Sequence, residues 1–600
     1  MQSYIPKNSQ RATDTPKTLV AALERASETR ERGFYFVGYG SQETFLSFQQ
    51  IHAEALRRAA HLSALGLRKG DRLALVMAEG AEFVMNFFGV VMAGGVPVPI
   101  SPPFTPKSGS SYIENVARIV ETAGAKMLLT EDKIKHTVQM IRERGAAPER
   151  IITTEEAFLG VPPEFEPPDV QPDDLCFLQF TSGSTSLPKG VMVSHANLMA
   201  NISAFMGPSG LGTGIEDVGV SWLPLFHDMG LIGFILGPLV WSNSVVIIST
   251  TAFARSPRIW LRAIHKYRGT VTYAPNFAYA LAAKRLCDQD LENLDLSCLR
   301  VAGCGAEPIH APNLRDFAER LRPTGFNAEA FVPSYGLAES TLAVTLHRRG
   351  VPLKTDKVDA ELIKWRNAVP ATSETKQVLE IVSCGVCVSE HHLAIVDEEG
   401  SVLPERQVGE ITVKGPSIAR GYFDSPEATG MAWKDGWLHT GDLGYIADGE
   451  LFVCGRIKDL VIIRGANFYP HDIERAVCDL PGVKHGNIVA FGVTDEGQER
   501  LVVVAETDGR NNAALSKLIA ERIREVIGLE VYRAVCVPSG TLFKTSSGKL
   551  RRHKVKQLFE RGQLPSTNGH GSAALAHAPA ASEEATGRHA NVESVAPSPD

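Results

Sequence analysis

The sequence is poor in several features that would narrow its class at once. Its nine cysteines are an odd number scattered over 600 residues, so no disulfide framework is expected and a reducing, cytoplasmic setting is. The polar start MQSYIPKNSQRATDTPK has no apolar core, so no secretory leader is expected. No excess of one charge is present: 61 Lys and Arg against 68 Asp and Glu give −7, too small for nucleic-acid binding by bulk electrostatics. Between Asp228 and Arg255 charge is absent altogether, which raises a membrane span. Pro238 and Ser242-Asn243-Ser244 divide that stretch, however, and the pieces read as a buried helix, then a buried strand. No internal repeat is present. The sequence Cys384-Gly-Val-Cys387 with His391 and His392 lacks a second ligand pair at zinc-finger spacing. On a continuous strand the two thiols would face opposite sides, so metal binding is not expected there.

What is present is ordinary globular composition, 44% hydrophobic and 22% charged, on a chain too long for one compact core. From residue 45 to about 340, β-branched runs alternate with helical patterns (RLALVMA, then EFVMNFFGVVMAGG, then PVPI), the mark of βαβ units and parallel sheet. From about 379 to 455, strand follows strand with polar turns, predicting an antiparallel, barrel-like part. A smaller α/β unit follows Gly455-Arg456-Ile457-Lys458. The expected organisation is an α/β fold: a large N-terminal domain over 1–458 of two βαβ-type layers plus a β-barrel-like subdomain, and a small mobile α+β lid over 459–562. Residues 563–600 have no aromatic and no isoleucine and read as a disordered tail.

The richest segment is TSGSTSLPKG, Thr181 to Gly190, a hydroxyl- and glycine-rich loop between two strands with one lysine. Its N–H groups, hydroxyls and ammonium suit phosphate oxygens. It is not a Walker A loop, because no Gly-Lys-Ser/Thr follows Gly183 at the right spacing. Further along come GCGAEP (Gly303 to Pro308), SYGLAES (Ser334 to Ser340), WLHTGD (Trp437 to Asp442), GRIKD (Gly455 to Asp459) and KTSSGK (Lys544 to Lys549). In this order the six segments resemble the adenylate-forming superfamily of acyl-CoA synthetases, non-ribosomal adenylation domains and luciferase-like enzymes. Within it the resemblance is nearest to the fatty acyl-AMP ligases, and it spans residues 15 to 562. Cys304, where relatives carry Asn or Gly, and Ser186, in place of a loop Gly, depart from the common pattern.

The resemblance implies ATP and Mg²⁺ as cofactors and assigns roles by position. Thr181, Ser182, Gly183, Ser184, Thr185 and Lys189 would hold the β and γ phosphates. Glu339, with Thr185, would hold Mg²⁺. Gly305, Ala306, Glu307, Ser334, Tyr335 and Gly336 would form the adenine slot, Tyr335 as a stacking face. Asp442 and Arg456 would take the ribose. Lys549 would reach the carboxylate and α-phosphate, with Glu339 and His227 beside it as catalytic residues, and Lys458 would be the hinge. The acid would meet Phe226, Asp228, Met229, Gly230, Asn276 and Phe277. His227 stands where amino-acid-activating relatives have Asp, and the apolar run GLIGFILGPLVW follows, which together favour a long-chain fatty acid.

About twenty extra residues between Glu339 and HLAIVD are associated, in fatty acyl-AMP ligases, with failure to use coenzyme A. The expected acceptor is therefore the phosphopantetheine thiol of an acyl carrier protein, or of a polyketide or non-ribosomal synthase carrier domain; no nucleic-acid partner and no transmembrane segment are expected. The basic run from Lys549 to Arg561, including Arg552 and Lys556, is a candidate docking face for an acidic carrier. The alternatives are a fatty acyl-CoA synthetase sharing the first step, and a non-catalytic scaffold of the same fold.

Overall fold

The computed structural model describes residues 15–38, 43–103, 110–144, 148–181, 188–495, 497–509, 512–544 and 549–565. Ser182, Gly183, Ser184 and Thr185 of the candidate phosphate loop, and the tail from Ser566, lie outside the described residues.

The βαβ alternation folds into two parallel layers. One is a four-stranded sheet in the order Val96–Ile100, Arg72–Val76, Met127–Thr130, Arg150–Thr153, parallel throughout. The other has nine strands, of which six neighbours run parallel: Phe331–Gly336, Val301–Cys304, Val271–Ala274, Val218–Ser221, Ser244–Ile248 and Gly33–Val37. Glu43–Ser47 closes one edge antiparallel, and Ala343–Leu346 with Val386–Cys387 close the other. Parallel strands must be covered on both faces. Here Trp260, Tyr279, Phe317 and Phe331, all fully buried, form an edge-to-face aromatic cluster over the nine-stranded sheet. Helices start where the sequence offers capping chemistry: Ser47 with Gln50 opens Phe48–Ala64, and Ser194 with Asn197 opens His195–Met206.

The uncharged stretch becomes a short helix Asp228–Leu231, a π-turn Ile232–Leu236 and a helix Gly237–Trp241. Ser242 ends it at φ 57°, and the buried strand Ser244–Ile248 follows. Among the described residues no helix is long and apolar enough to cross a membrane. The stretch expected to be barrel-like is a five-stranded antiparallel sheet in which Trp437–Ala447 pairs with Gly409–Lys414, Trp433–Lys434 and Glu450–Arg456, and His392–Val396 lies outermost. Cys384 and Cys387 do not share one continuous strand as the sequence reading assumed. Gly385 turns between them at φ 78°, and a Cβ there would stand 2.0 Å from the Leu346 carbonyl. Cys384 is buried in a cluster with Tyr335 and Val344.

After Lys458 the chain builds a separate core on Val483–Asp495, Gln498–Thr507 and Val531–Pro538, with helices Pro470–Ala476, Asn512–Ile527 and Arg552–Glu560 against the sheet. Leu564 is buried in this core, so the packed chain runs past residue 562.

Candidate active site

A cleft of about 2800 Å³ opens at the carboxyl ends of the parallel strands and is roofed by the small unit. Ends of parallel strands gather loops and unpaired backbone groups, which is why ligand sites form there. On the phosphate side, Leu175–Thr181 hairpins with Lys189–Ser194 and brings Thr181 opposite Lys189. The Lys189 ammonium sits 4.6 Å from the centroid of the Tyr422 ring. Burial holds this lysine below its ordinary pKa and Lys458 adds to that effect, while Glu339 opposes it. The Tyr422 hydroxyl donates to Glu339 Oε1 at 2.7 Å. Burial raises the Glu339 carboxyl above its usual range, and the Tyr422 bond works against the rise.

On the nucleoside side, Ser334, Tyr335 and Gly336 end the strand Phe331–Gly336, where a Cβ on Gly336 would stand 1.9 Å from the Leu342 carbonyl. A Cβ on Gly305 would meet the Ser334 carbonyl at 2.9 Å, and Ala306 holds φ 69°. This wall is therefore backbone and admits no larger side chain. Tyr335 is only 9% exposed, and its hydroxyl donates to Asp442 Oδ2 at 2.7 Å. It braces the carboxylate as well as lining the slot. Arg456, paired opposite Asp442 across the two strands, brings Nε to 3.0 Å from Asp442 Oδ1. Glu410 accepts from Gly441 N–H at 2.9 Å and lies 2.8 Å from His439 Nδ1, fixing the turn that presents Asp442.

Lys549 enters from the small unit. Burial depresses its ammonium and Arg456 adds to this, whereas Asp228, Glu307 and Asp442 pull the other way. Three carboxylates from three separate elements of the large unit thus act on one lysine of the small unit. Glu307 accepts from Phe277 N–H at 2.7 Å; burial raises its carboxyl, and Lys549 and Lys544 hold it down. Asp228 Oδ1 accepts from Met229 N–H at 2.7 Å and lies 3.3 Å from His227 Nδ1. Burial alone would raise this acid, but those two contacts and Lys549 keep it below the usual range.

His227, Asp228, Met229, Gly230, Asn276 and Phe277 all line the cleft. The Asn276 side chain accepts from His310 N–H at 3.1 Å and so holds the loop after Glu307. Phe226 is not part of the lining; its carbonyl accepts from Gln179. The lining also includes the apolar residues Trp222, Phe253, Phe234 and Val271, together with Gly219. Trp222 stacks flat on Phe253 with centroids 3.6 Å apart. Lys458 lies in the turn Ile457–Asp459 at the edge of the cleft.

Tyr422, Glu410 and Lys544 were not foreseen. Lys544 had a visible signal, since it opens the KTSSGK loop, whereas Tyr422 reaches Glu339 across 83 positions and carries no local pattern. Arg552, read from sequence as a docking charge, is instead turned inward onto Glu474 Oε1 at 2.7 Å. Among the described residues no group of three or more metal-ligating side chains occurs. Magnesium commonly uses one or two carboxylates together with substrate phosphates, and Glu339 beside Lys189 fits that mode.

The profile of the AMP-binding enzyme family matches residues 23–423. A Caulobacter vibrioides protein described as a candidate acyl-CoA synthetase is 38% identical over 566 residues, 92% of this chain and 96% of its own. The medium-chain-fatty-acid–acyl-carrier-protein ligase JamA of Moorena producens is 34% identical, covering 91% of this chain and 96% of its own. A solved structure from a study of fatty acyl-adenylate ligases of E. coli and L. pneumophila superposes with a TM-score of 0.86 at 37% identity, covering 91% of this chain and 98% of that one. With the matched stretch exceeding half of the chain, the protein belongs to the family of AMP-binding, adenylate-forming enzymes.

Proposed function

We propose that the protein is a fatty acyl-AMP ligase: a fatty acid carboxylate attacks the α-phosphorus of ATP, pyrophosphate leaves, and the acyl-adenylate passes to a carrier-bound phosphopantetheine thiol with release of AMP. The observation that carries this reading is Lys549 of the lid, held under the influence of Asp228, Glu307 and Asp442 in a cleft that Trp222, Phe234 and Phe253 also line. Its ammonium would balance the charge that develops between carboxylate and α-phosphate. Lys189 and the loop from Thr181 would hold the departing pyrophosphate. Mg²⁺, held by Glu339, would neutralise the phosphates. Asp442, aligned by Tyr335 and Arg456, would accept from the ribose hydroxyls.

Asp228 is engaged with its own helix start and with His227, which leaves an α-ammonium without a committed partner and supports a fatty acid over an amino acid. Two features support a carrier thiol over coenzyme A. The relative JamA bears such an activity in its name. The extra segment also forms a hairpin, Thr355–Asp359 with Val378–Val382, whose turn Ile363–Trp365 packs on the lid. There Lys364 Nζ bonds the Ile527 carbonyl at 3.3 Å and its own carbonyl accepts from Asn467 at 3.0 Å.

Pyrophosphate release with dodecanoate and Mg-ATP tests the first step. Lys549→Ala is expected to lower it by about 10² to 10³; absence of fatty-acid-dependent release by the wild type would overturn the reading. Supplying coenzyme A and a phosphopantetheinylated carrier in parallel tests the second step, and acyl-CoA as the main product would refute the carrier assignment.

A further inference from the structure

Glu474 is an acid that its surroundings do not welcome. Burial pushes its carboxyl up to about 7 and Asp459 of the hinge turn adds to the rise; Arg552 and the N–H of Ala490 act against it. One oxygen, Oε1, accepts both from Arg552 Nη1 at 2.7 Å and from Ala490 N–H at 2.9 Å. Glu474 lies on the helix Pro470–Ala476, Ala490 on the strand Val483–Asp495, and Arg552 opens the helix Arg552–Glu560. A single atom therefore ties together three elements of the lid. Both side chains are less than a fifth exposed, at 18% and 19%, and Arg552 Nε is buried with no hydrogen-bond partner. A packed apolar pair would hold two helices together at least as well as a buried ion pair. What the ion pair adds is one fixed geometry.

Lys549 precedes Arg552 by three residues, a reach of roughly 10 Å of chain. The link between them is itself held: Leu550 bridges to Lys544, and Arg551 N–H donates to the Phe543 carbonyl at 2.8 Å. Where Arg552 is fixed, the root of Lys549 is fixed. We propose that Glu474 is a positioning residue for Lys549, acting through Arg552 to set the lysine-bearing segment before the lid closes. This rests on Lys549 serving acyl-adenylate formation. Because both partners lie beyond Lys458, the clamp travels with the lid and matters only to the half-reaction that uses Lys549.

The two half-reactions, measured separately on the full chain with Glu474→Gln, Arg552→Met and the double variant, test this. Expected is a loss of about tenfold in kcat for acyl-adenylate formation, with KM for ATP and dodecanoate little changed. Transfer of preformed dodecanoyl-adenylate to the carrier thiol should stay at the wild-type rate, and the double variant should be no slower than the slower single one. Wild-type adenylation in Glu474→Gln, equal losses in both half-reactions, or additive losses would each overturn the proposal. Amide hydrogen exchange of peptides from Lys549 to Val555 needs no substrate and separates this idea from the function above. Faster exchange is expected in both single variants, and unchanged exchange overturns the clamp whatever the enzyme activates.

Discussion

Asp442, the proposed ribose acceptor, is held by one side chain far from it in sequence and one from the neighbouring strand. Tyr335 Oη at 2.7 Å and Arg456 Nε at 3.0 Å leave the carboxylate with its remaining lone pairs toward the cleft. Tyr335→Phe is expected to raise KM for ATP by about tenfold or more, with kcat nearly kept, since a neutral-to-charged hydrogen bond contributes about 1.5–3 kcal/mol; initial-rate kinetics over ATP concentration check this. His195 gives a prediction in pH. Its Nδ1 accepts from Leu19 N–H at 3.0 Å, which needs the neutral ring, and burial lowers its pKa to about 4. A base with a depressed folded pKa contributes fully above about 6.5 and loses that contribution as pH falls toward 4, on the order of 3 kcal/mol. Urea unfolding at pH 7 and pH 4.5 should show a steeper loss in the wild type than in His195→Gln. The residues legible in the sequence, Lys549, Glu339, Asp442 and Lys189, sit inside ordered motifs. Tyr422 and Glu474 were not legible, because each acts through a contact 83 and 78 positions away.

Elements were easier to read than their irregularities. The parallel layers and the antiparallel part followed from apolar periodicity, but the π-turn Ile232–Leu236 did not, because its composition is that of any buried helix. The assumption of one strand through Cys384 and Cys387 failed on Gly385, whose positive φ answers to the Leu346 carbonyl of a neighbouring strand. Gly385→Ala should therefore cost about 2 kcal/mol or more, visible as a lowered melting temperature. The hairpin of the extra segment meets the lid through Lys364, whose ammonium also lies 5.0 Å from the Phe468 ring. Replacing Lys364 and Trp365 with Ala should leave pyrophosphate release within about twofold of wild type, because neither lines the cleft. The same change should let acyl-CoA appear when coenzyme A is offered, if this contact restrains the lid.

At the scale of the whole molecule, the proposed function draws its nucleoside and acid contacts from the large unit and Lys549 from the small one, so it would need both in one relative orientation. Lys458→Pro, which fixes φ at the turn Ile457–Asp459, should retain acyl-adenylate formation within about threefold and abolish transfer to the carrier. Burst-phase accumulation of acyl-adenylate without thioester would be the readout. The strand Glu450–Arg456 bears the guanidinium that grips Asp442, and it ends two residues before Lys458, the proposed hinge. The proposed ribose site and the proposed hinge thus lie on one strand and at its end. If a nucleotide tilts the lid equilibrium by some factor, fixing the lid must change nucleotide affinity by that same factor. On the proposed function, ATP and AMP would then differ in how each weights the positions of the small unit, and product release would become a property of that unit.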